Sequence, residues 1–174
     1  MIRLFCLIIY YGFATYLPDS YSPIVGKISN FIRVFLCRRI FKKCGKEKIV
    51  INRKAYFGTG KNIELSDYSG IGANTILPNN IIIGKYVMMA PYVQILSNNH
   101  RFDRIDIPMC FQGFSPDQIV VIEDDCWIGQ KVLIMPGRTI KRGTIVAGGA
   151  VVTKDFEEYS IIGGNPAKLI KKRI

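Results

Sequence analysis

Acidic residues are scarce in this chain: 13 Asp and Glu stand against 24 Lys and Arg, a formal net charge of +11 over 174 residues. That balance favours an anionic partner such as nucleic acid, an anionic membrane face or a polyphosphorylated ligand, and by itself does not choose among them. Histidine is nearly absent, His100 being the only one, and the five cysteines include no CxxC pair or other metal-ligand spacing. Neither a zinc site nor a disulfide framework is indicated, and a reducing compartment is the simpler reading. A long hydrophobic run is missing too: Leu4 to Leu17 covers about 14 residues where a spanning helix needs about 20. No small-x-small site precedes Pro18, which argues against a cleaved leader. With no low-complexity tract and 49% hydrophobic residues, the length suits one packed domain.

Three segments follow from periodicity. Residues 1–48 read as helical, with an apolar run stopped at Leu17-Pro18-Asp19 and a second stretch from Val25 to Cys44 that Gly45 ends. In that second stretch Ile28, Phe31, Ile32, Phe35, Leu36, Ile40 and Phe41 recur at spacings of three and four. Basic residues cluster from Arg33 to Lys48 and again from Lys168 to Arg173. From Ile49 onward the helical period disappears.

A period of six replaces it over 49–160. Leu65, Ile71, Leu77, Ile83, Met89 and Ile95 form one series, and Ile122, Ile128, Ile134, Ile140, Val146 and Val152 another. A second tooth four residues later is mostly small or β-branched, as at Ser69, Thr75, Val87, Val93, Val132, Thr144 and Ala150. Such a repeat marks a parallel β-helix, in which three hexads close one triangular coil and coils stack about 4.8 Å apart. The spacing predicts four to five coils and an all-β fold with N-terminal helices, and 161–174 read as an extension ending in a short helix.

The two series are out of phase, because Ile95 and Ile122 are 27 residues apart and 27 is not a multiple of six. The chain therefore leaves the coil between them, over about 100–118. A long excursion from a rigid scaffold is a usual host for binding and catalytic groups.

Several motifs resemble the hexapeptide-repeat acyltransferases, and among them the galactoside, maltose and surface-polysaccharide O-acetyltransferases. They are Ser97-Asn98-Asn99-His100-Arg101-Phe102-Asp103, Cys126-Trp127-Ile128-Gly129, Ile134-Met135-Pro136-Gly137, Gly149 to Asp155 and Gly163-Gly164-Asn165-Pro166-Ala167-Lys168. The resemblance implies left-handed coiling, a homotrimer with sites between neighbouring prisms, and acetyl-CoA as co-substrate with no metal. The carbonic anhydrases of this fold bind zinc through three histidines, which this chain cannot supply. Arg138 and Lys141 depart from the family pattern, where an apolar residue and a Gly are common.

Carried over residue by residue, the resemblance makes His100 the general base that takes the proton from an acceptor hydroxyl. Asp103 is a candidate to orient it, with an ordinary surface carboxylate as the alternative. Trp127 matches the tryptophan placed beside the acetyl and pantetheine end of the cofactor. Gly129, Ala147 and Gly148 match small residues that open the backbone to the pantetheine arm, or they are simply tight corners. Thr153, Lys154, Lys168 and Lys171 match residues directed at the CoA phosphates, against the alternative of solvated surface groups. Arg101, Asp103 and Phe111 are candidates for acceptor recognition.

The acceptor expected from the resemblance is a sugar or glycan precursor, which makes the chain an O-acetyltransferase of the cytoplasm rather than a nucleic-acid binder. Two readings stay open beside it: an acetyltransferase acting on an antibiotic, and a non-catalytic scaffold or binding protein. The basic, aromatic segment 31–48 also suits contact with the inner, anionic face of a membrane.

Overall fold

The computed structural model describes residues 1–174. Two helices come first, α1 (Ile2–Gly12) and α2 (Gly26–Ile40). Short strands follow: β1 (Lys43–Cys44), β2 (Val50–Ile51), β3 (Glu64–Leu65), β4 (Gly70–Ile71), β5 (Ile81–Ile83), β6 (Met88–Met89) and β7 (Gln94–Ile95). After the excursion come β8 (Val120–Ile122), β9 (Trp127–Ile128), β10 (Leu133–Ile134), β11 (Thr139–Ile140), β12 (Ile145–Val146) and β13 (Val151–Val152). The chain ends with β14 (Ser160–Gly163) and β15 (Lys168–Lys172).

The strands stack on three faces of a parallel β-helix. One face runs β1-β3-β5-β8-β11, a second ends in β7-β10-β13, and the third contains β6-β9-β12-β14, each pair joining strands from successive coils. The pair β2-β4 extends the third face downward, since the Gly70 N–H donates to Val87 O at 3.0 Å. Aliphatic teeth meet in register: Leu65 lies beside Ile83, Ile83 beside Ile122, Ile122 beside Ile140, and Ile95 beside Ile134 and then Val152. Leu65, Ile83, Ile122, Ile134 and Val152 are all 0% exposed. Each buried aliphatic side chain contributes roughly 1.5–3 kcal/mol, so the column of teeth is the main driving force of the fold.

Corners obey the same period. Asp125, Lys131, Gly137, Gly143 and Gly149 occur every six residues, and all have a φ between +59° and +73°. Where a neighbour crowds that position only glycine fits: a β-carbon on Gly143 would lie 2.3 Å from the Tyr159 ring. Gly72 meets a different limit, since a β-carbon there would lie 2.1 Å from the carbonyl oxygen of Ala90.

The first coil is capped by the helices. β2 is an outer strand, and the Asn30 side chain donates to Ile49 O at 2.8 Å and accepts from the Ile51 N–H at 2.9 Å, much as a neighbouring strand would. Arg33 completes the cap. Its guanidinium, 0% exposed, donates to the carbonyls of Ile51 (2.6 Å), Ala14 (3.2 Å), Leu17 (3.1 Å) and Pro18 (2.9 Å), and to Ser20 Oγ (3.0 Å). The Tyr10 hydroxyl does the same for Ala55 O at 2.9 Å.

Three expectations need correction. The second helix ends at Ile40 rather than Cys44, because Lys43 and Cys44 already pair with Glu64 and Leu65 as the first strand of the stack. Arg33, the first residue of the basic cluster that suited an anionic partner, is interior. The expected C-terminal helix is a strand: after Gly163-Gly164-Asn165-Pro166 turns the chain back, β15 lies antiparallel on β14 and covers its outer edge. Gly164, at φ +99°, supplies the reversal. No helix is long and apolar enough to cross a membrane.

Replacing Arg33 with Ala would take the donor from the Leu17 and Pro18 carbonyls and leave a cavity. We expect Arg33→Ala to lower stability by about 3–5 kcal/mol, measured as a fall in the urea midpoint at unchanged slope.

Candidate active site

The excursion is an arm with a paired base, inserted without disturbing the stack. Leu65 and Ile83 pair across 18 residues, one regular coil, whereas Ile83 and Ile122 pair across 39, so the arm adds 21 residues (39 less 18) and restores the register. At its base the Gln118 N–H donates to Ser97 O at 2.7 Å, the Ser115 N–H to Asn99 O at 2.8 Å, and the Arg101 N–H to Gly113 O at 3.0 Å. Asp117 accepts from Asn98 Nδ2 at 2.6 Å and ties the two sides together. A single 3-10 turn, Met109–Phe111, shapes the outer part.

His100 sits on this ladder, opposite Phe114. It is exposed at the scaffold edge, with its ring stacked on Phe114 at 4.2 Å between centroids and an interplanar angle of 34°. The tilted contact covers one face of the imidazole. A cavity of about 560 Å³ lies there, lined by His100, Arg101, Asp103, Phe114 and Gln118 among others. Phe114 escaped the sequence reading because nothing in its spacing marks it; only the arm's pairing brings it to position 100.

Asp103 does not orient His100. Its carboxylate is held by the Arg101 guanidinium, at 3.1 and 2.9 Å, and that bond keeps it below the usual carboxylate range. Both side chains are exposed on the cavity wall, where their pairing presents a fixed polar fork. Phe111 stands farther out, 78% exposed, and lines neither His100's cavity nor the one beside Trp127.

Trp127, the only tryptophan, is half exposed on β9. It lines a second cavity of about 440 Å³, walled by Gly70, Gly72, Met88 and Ala90 and closed on the outside by Asp19 and Tyr21 from the connection between the helices. Asp19 and Tyr21 were missed in the sequence, since their distance along the chain gives no sign that they reach the prism. The cavities of His100 and Trp127 share no lining residue.

The small residues divide. The N–H groups of Gly129 and Ala147 already donate within the stack, to Val146 O and Ile162 O at 2.8 Å each, and a β-carbon on Gly129 would lie 2.6 Å from Gly148 N. Gly129 and Ala147 are therefore ladder positions first, whereas Gly148 is exposed with its N–H outside the backbone ladder.

Thr153 and Lys154 are exposed just after β13, with the Lys154 Nζ 5.4 Å from the Phe156 ring. Lys168 and Lys171 are exposed on β15. Of the lysines on the hairpin, Lys172 is the one that shares a cavity with Lys154, beside Phe156 and Glu157. The departures at Arg138 and Lys141 are accommodated by ion pairs to the next coil, with Asp155 (3.7 Å) and Glu157 (3.3 Å).

Cys126, next to Trp127, is buried, and its thiol lies 3.2 Å from Lys141 O. Burial pushes its pKa up to about 11, which removes it as a nucleophile near neutral pH.

Comparison with known proteins matches this frame. The family model for "Bacterial transferase hexapeptide (six repeats)" fits residues 119–154. A putative acetyltransferase of Saccharomyces cerevisiae is 32% identical over 137 residues, 78% of this chain and 68% of that one. The chain belongs to the hexapeptide-repeat acyltransferases. A probable macrolide acetyltransferase of Lysinibacillus sphaericus is 41% identical over 110 residues, and the match spans 61% of that protein's length and 55% of this chain. Among solved structures, a maltose O-acetyltransferase from Clostridium difficile 630 has a TM-score of 0.77 at 31% identity, covering 98% of this chain and 85% of that one. A hexapeptide-repeat acetyltransferase of Vibrio cholerae, complexed with acetyl-CoA, has a TM-score of 0.76 at 26% identity, covering 98% and 86%.

Because Asp103 is bound to Arg101, neutralising it should leave the imidazole where it is: we expect the nuclear Overhauser contacts between the His100 and Phe114 rings in Asp103→Asn to match those of the parent.

Proposed function

We propose that this hexapeptide-repeat protein transfers an acetyl group from acetyl-CoA to a hydroxyl of a sugar or surface-polysaccharide precursor, as a left-handed homotrimer of the cytoplasm with His100 as general base. The observation that carries the reading is the exposed imidazole, braced on Phe114 at the mouth of a cavity where a loop leaves a rigid coil. The acetyl-CoA complex of the Vibrio cholerae relative supports the donor, and the maltose O-acetyltransferase supports a sugar acceptor.

In the reaction the imidazole removes the hydroxyl proton as the acceptor oxygen attacks the thioester carbon. The new C–O bond forms, the C–S bond breaks, and the proton passes to the departing thiolate, so His100 ends as it began. We read transfer as direct, as in the family the chain resembles; the thiol beside Trp127, Cys126, is buried and protonated and so is no acyl acceptor. That His100 and Trp127 line separate cavities in one chain supports a site completed between copies, the imidazole of one facing the Trp127 cavity of the next. Exposed Lys154, Lys168 and Lys171, with Lys172 beside Lys154, supply positive charge for the CoA phosphates, and the free Gly148 N–H is a donor for the pantetheine arm. Arg101 and Asp103 form the acceptor's polar contact, and the pocket floored by Gly70 and Gly72 has room for a sugar ring.

A second reading, an antibiotic acetyltransferase, is favoured by the likeness to the probable macrolide acetyltransferase. Free-thiol release in a screen of sugars, nucleotide sugars, macrolides and chloramphenicol separates the two: turnover confined to the antibiotics would replace the sugar acceptor.

Two outcomes are expected. His100→Ala should lose about 10²- to 10⁴-fold in kcat, while the dissociation constant for CoA stays within about twofold, because only the base is removed. Full activity in that variant would defeat the mechanism. Adding CoA should change the fluorescence of Trp127, the sole reporter, and Trp127→Phe should abolish the signal.

A further inference from the structure

An amphipathic face on the N-terminal helices has no part in acetyl transfer. On α2 the side turned inward carries Ser29, Arg33, Leu36, Cys37 and Ile40. Ile28, Phe31 and Phe35, spaced three and four apart, share the other side, with Ile28 63% and Phe31 68% exposed, and Ile24 is exposed in the turn just before the helix. Leu4, Phe5 and Ile8 form a second exposed row on α1. Single exposed apolar side chains are ordinary, whereas rows of them mark an interaction surface.

Charge selects what covers this one. As far as Lys46 the chain has one acid, Asp19, and eight Lys and Arg, of which Arg33 alone is buried. Lys27, Arg38 and Lys48 frame a cavity of about 290 Å³ that has Phe31 in its wall. The Arg39 guanidinium lies 3.7 Å over the Phe35 ring. Apolar side chains rimmed by cations suit a helix lying in the headgroup layer of an anionic bilayer, with rings at the acyl boundary and cations at the phosphates. Nucleic acid would use the cations and leave the apolar row in water. A second copy meeting this face with its own would bring like charges together. With 11 and 15 residues, neither helix crosses the membrane.

We infer that α2, with α1 beside it, docks the protein on an anionic phospholipid surface, the cavity between Lys27, Arg38 and Lys48 receiving a lipid phosphate. This docking does not rest on the acceptor or on His100, and of its cations only Lys48 also lines the Trp127 cavity.

The test is flotation of the full chain with vesicles of phosphatidylcholine alone or with about 30 mol% phosphatidylglycerol, at low and high salt. Binding is expected to the anionic vesicles, weakening as salt rises. The exposed pair Ile28→Ser and Phe31→Ser together should reduce partitioning roughly tenfold or more, and Lys27→Gln should weaken binding to anionic vesicles only. Circular dichroism and sedimentation of the variants check that fold and assembly are kept. No binding to anionic vesicles overturns the inference, as do equal binding to both compositions and undiminished binding by the double variant. A smaller assembly in the double variant overturns it in favour of a contact between copies.

Discussion

A parallel β-helix leaves an open backbone edge on each face at both ends, and satisfying those edges is the constraint on which the rest of the molecule depends. Within the stack every coil supplies the next with hydrogen-bond partners, so the problem is confined to the ends. Here the start is closed by side chains. Asn30 mimics a strand beside Val50 and Ile51, while Arg33 gathers four carbonyls and one hydroxyl around a single guanidinium. A guanidinium suits this place because its five N–H donors form a fixed fork and its geometry matches several acceptors at once. Burial lowers its proton affinity, yet the group stays charged because its ordinary pKa is so high. At the other end β15 folds back on β14, and a backbone strand does what side chains do at the start.

Where local chemistry repeats, the fold could be read from the sequence. The teeth of period six, Leu65 through Ile95 and Ile122 through Val152, predicted a parallel coil and an excursion between the two series, and the strand registers follow those teeth. Singular elements were harder. Lys168 to Lys172 gives no burial pattern, all five residues being exposed, so only pairing with β14 distinguishes strand from helix. Arg33 belongs to a basic run in which its neighbours do face water, and its burial depends on carbonyls 13 or more residues away in the chain. Helix α2 stops at Ile40, short of the glycine expected to end it, because strand pairing at Lys43 outweighs helical propensity.

The candidate site shows the same division. His100 was identified by its uniqueness and by the motif around it, and it stands exposed on the arm where the coil is interrupted. Its brace, Phe114, and the bond that takes Asp103 toward Arg101 are properties of the arm's folding, which residue type alone does not encode. The glycines read as openings for a cofactor or as tight corners, and at Gly129 the close passage of Gly148 supplies the second reason. Electrostatics was legible as a total and not as a map, since the sum of +11 hid both an interior cation and a rim of cations around apolar side chains.

The arm's silence in the register has a consequence for how such a protein changes. Ile83 and Ile122 meet as though nothing came between them, so the stack senses only where the arm leaves and returns. Lengthening or exchanging the residues beyond the Ser97 to Gln118 pairing leaves every aliphatic column aligned. Loop closure adds little for moderate changes of length, about 0.6 kcal/mol per doubling. New side chains can thus be presented at this point while the core stays where it is, separating the evolution of the arm from that of stability.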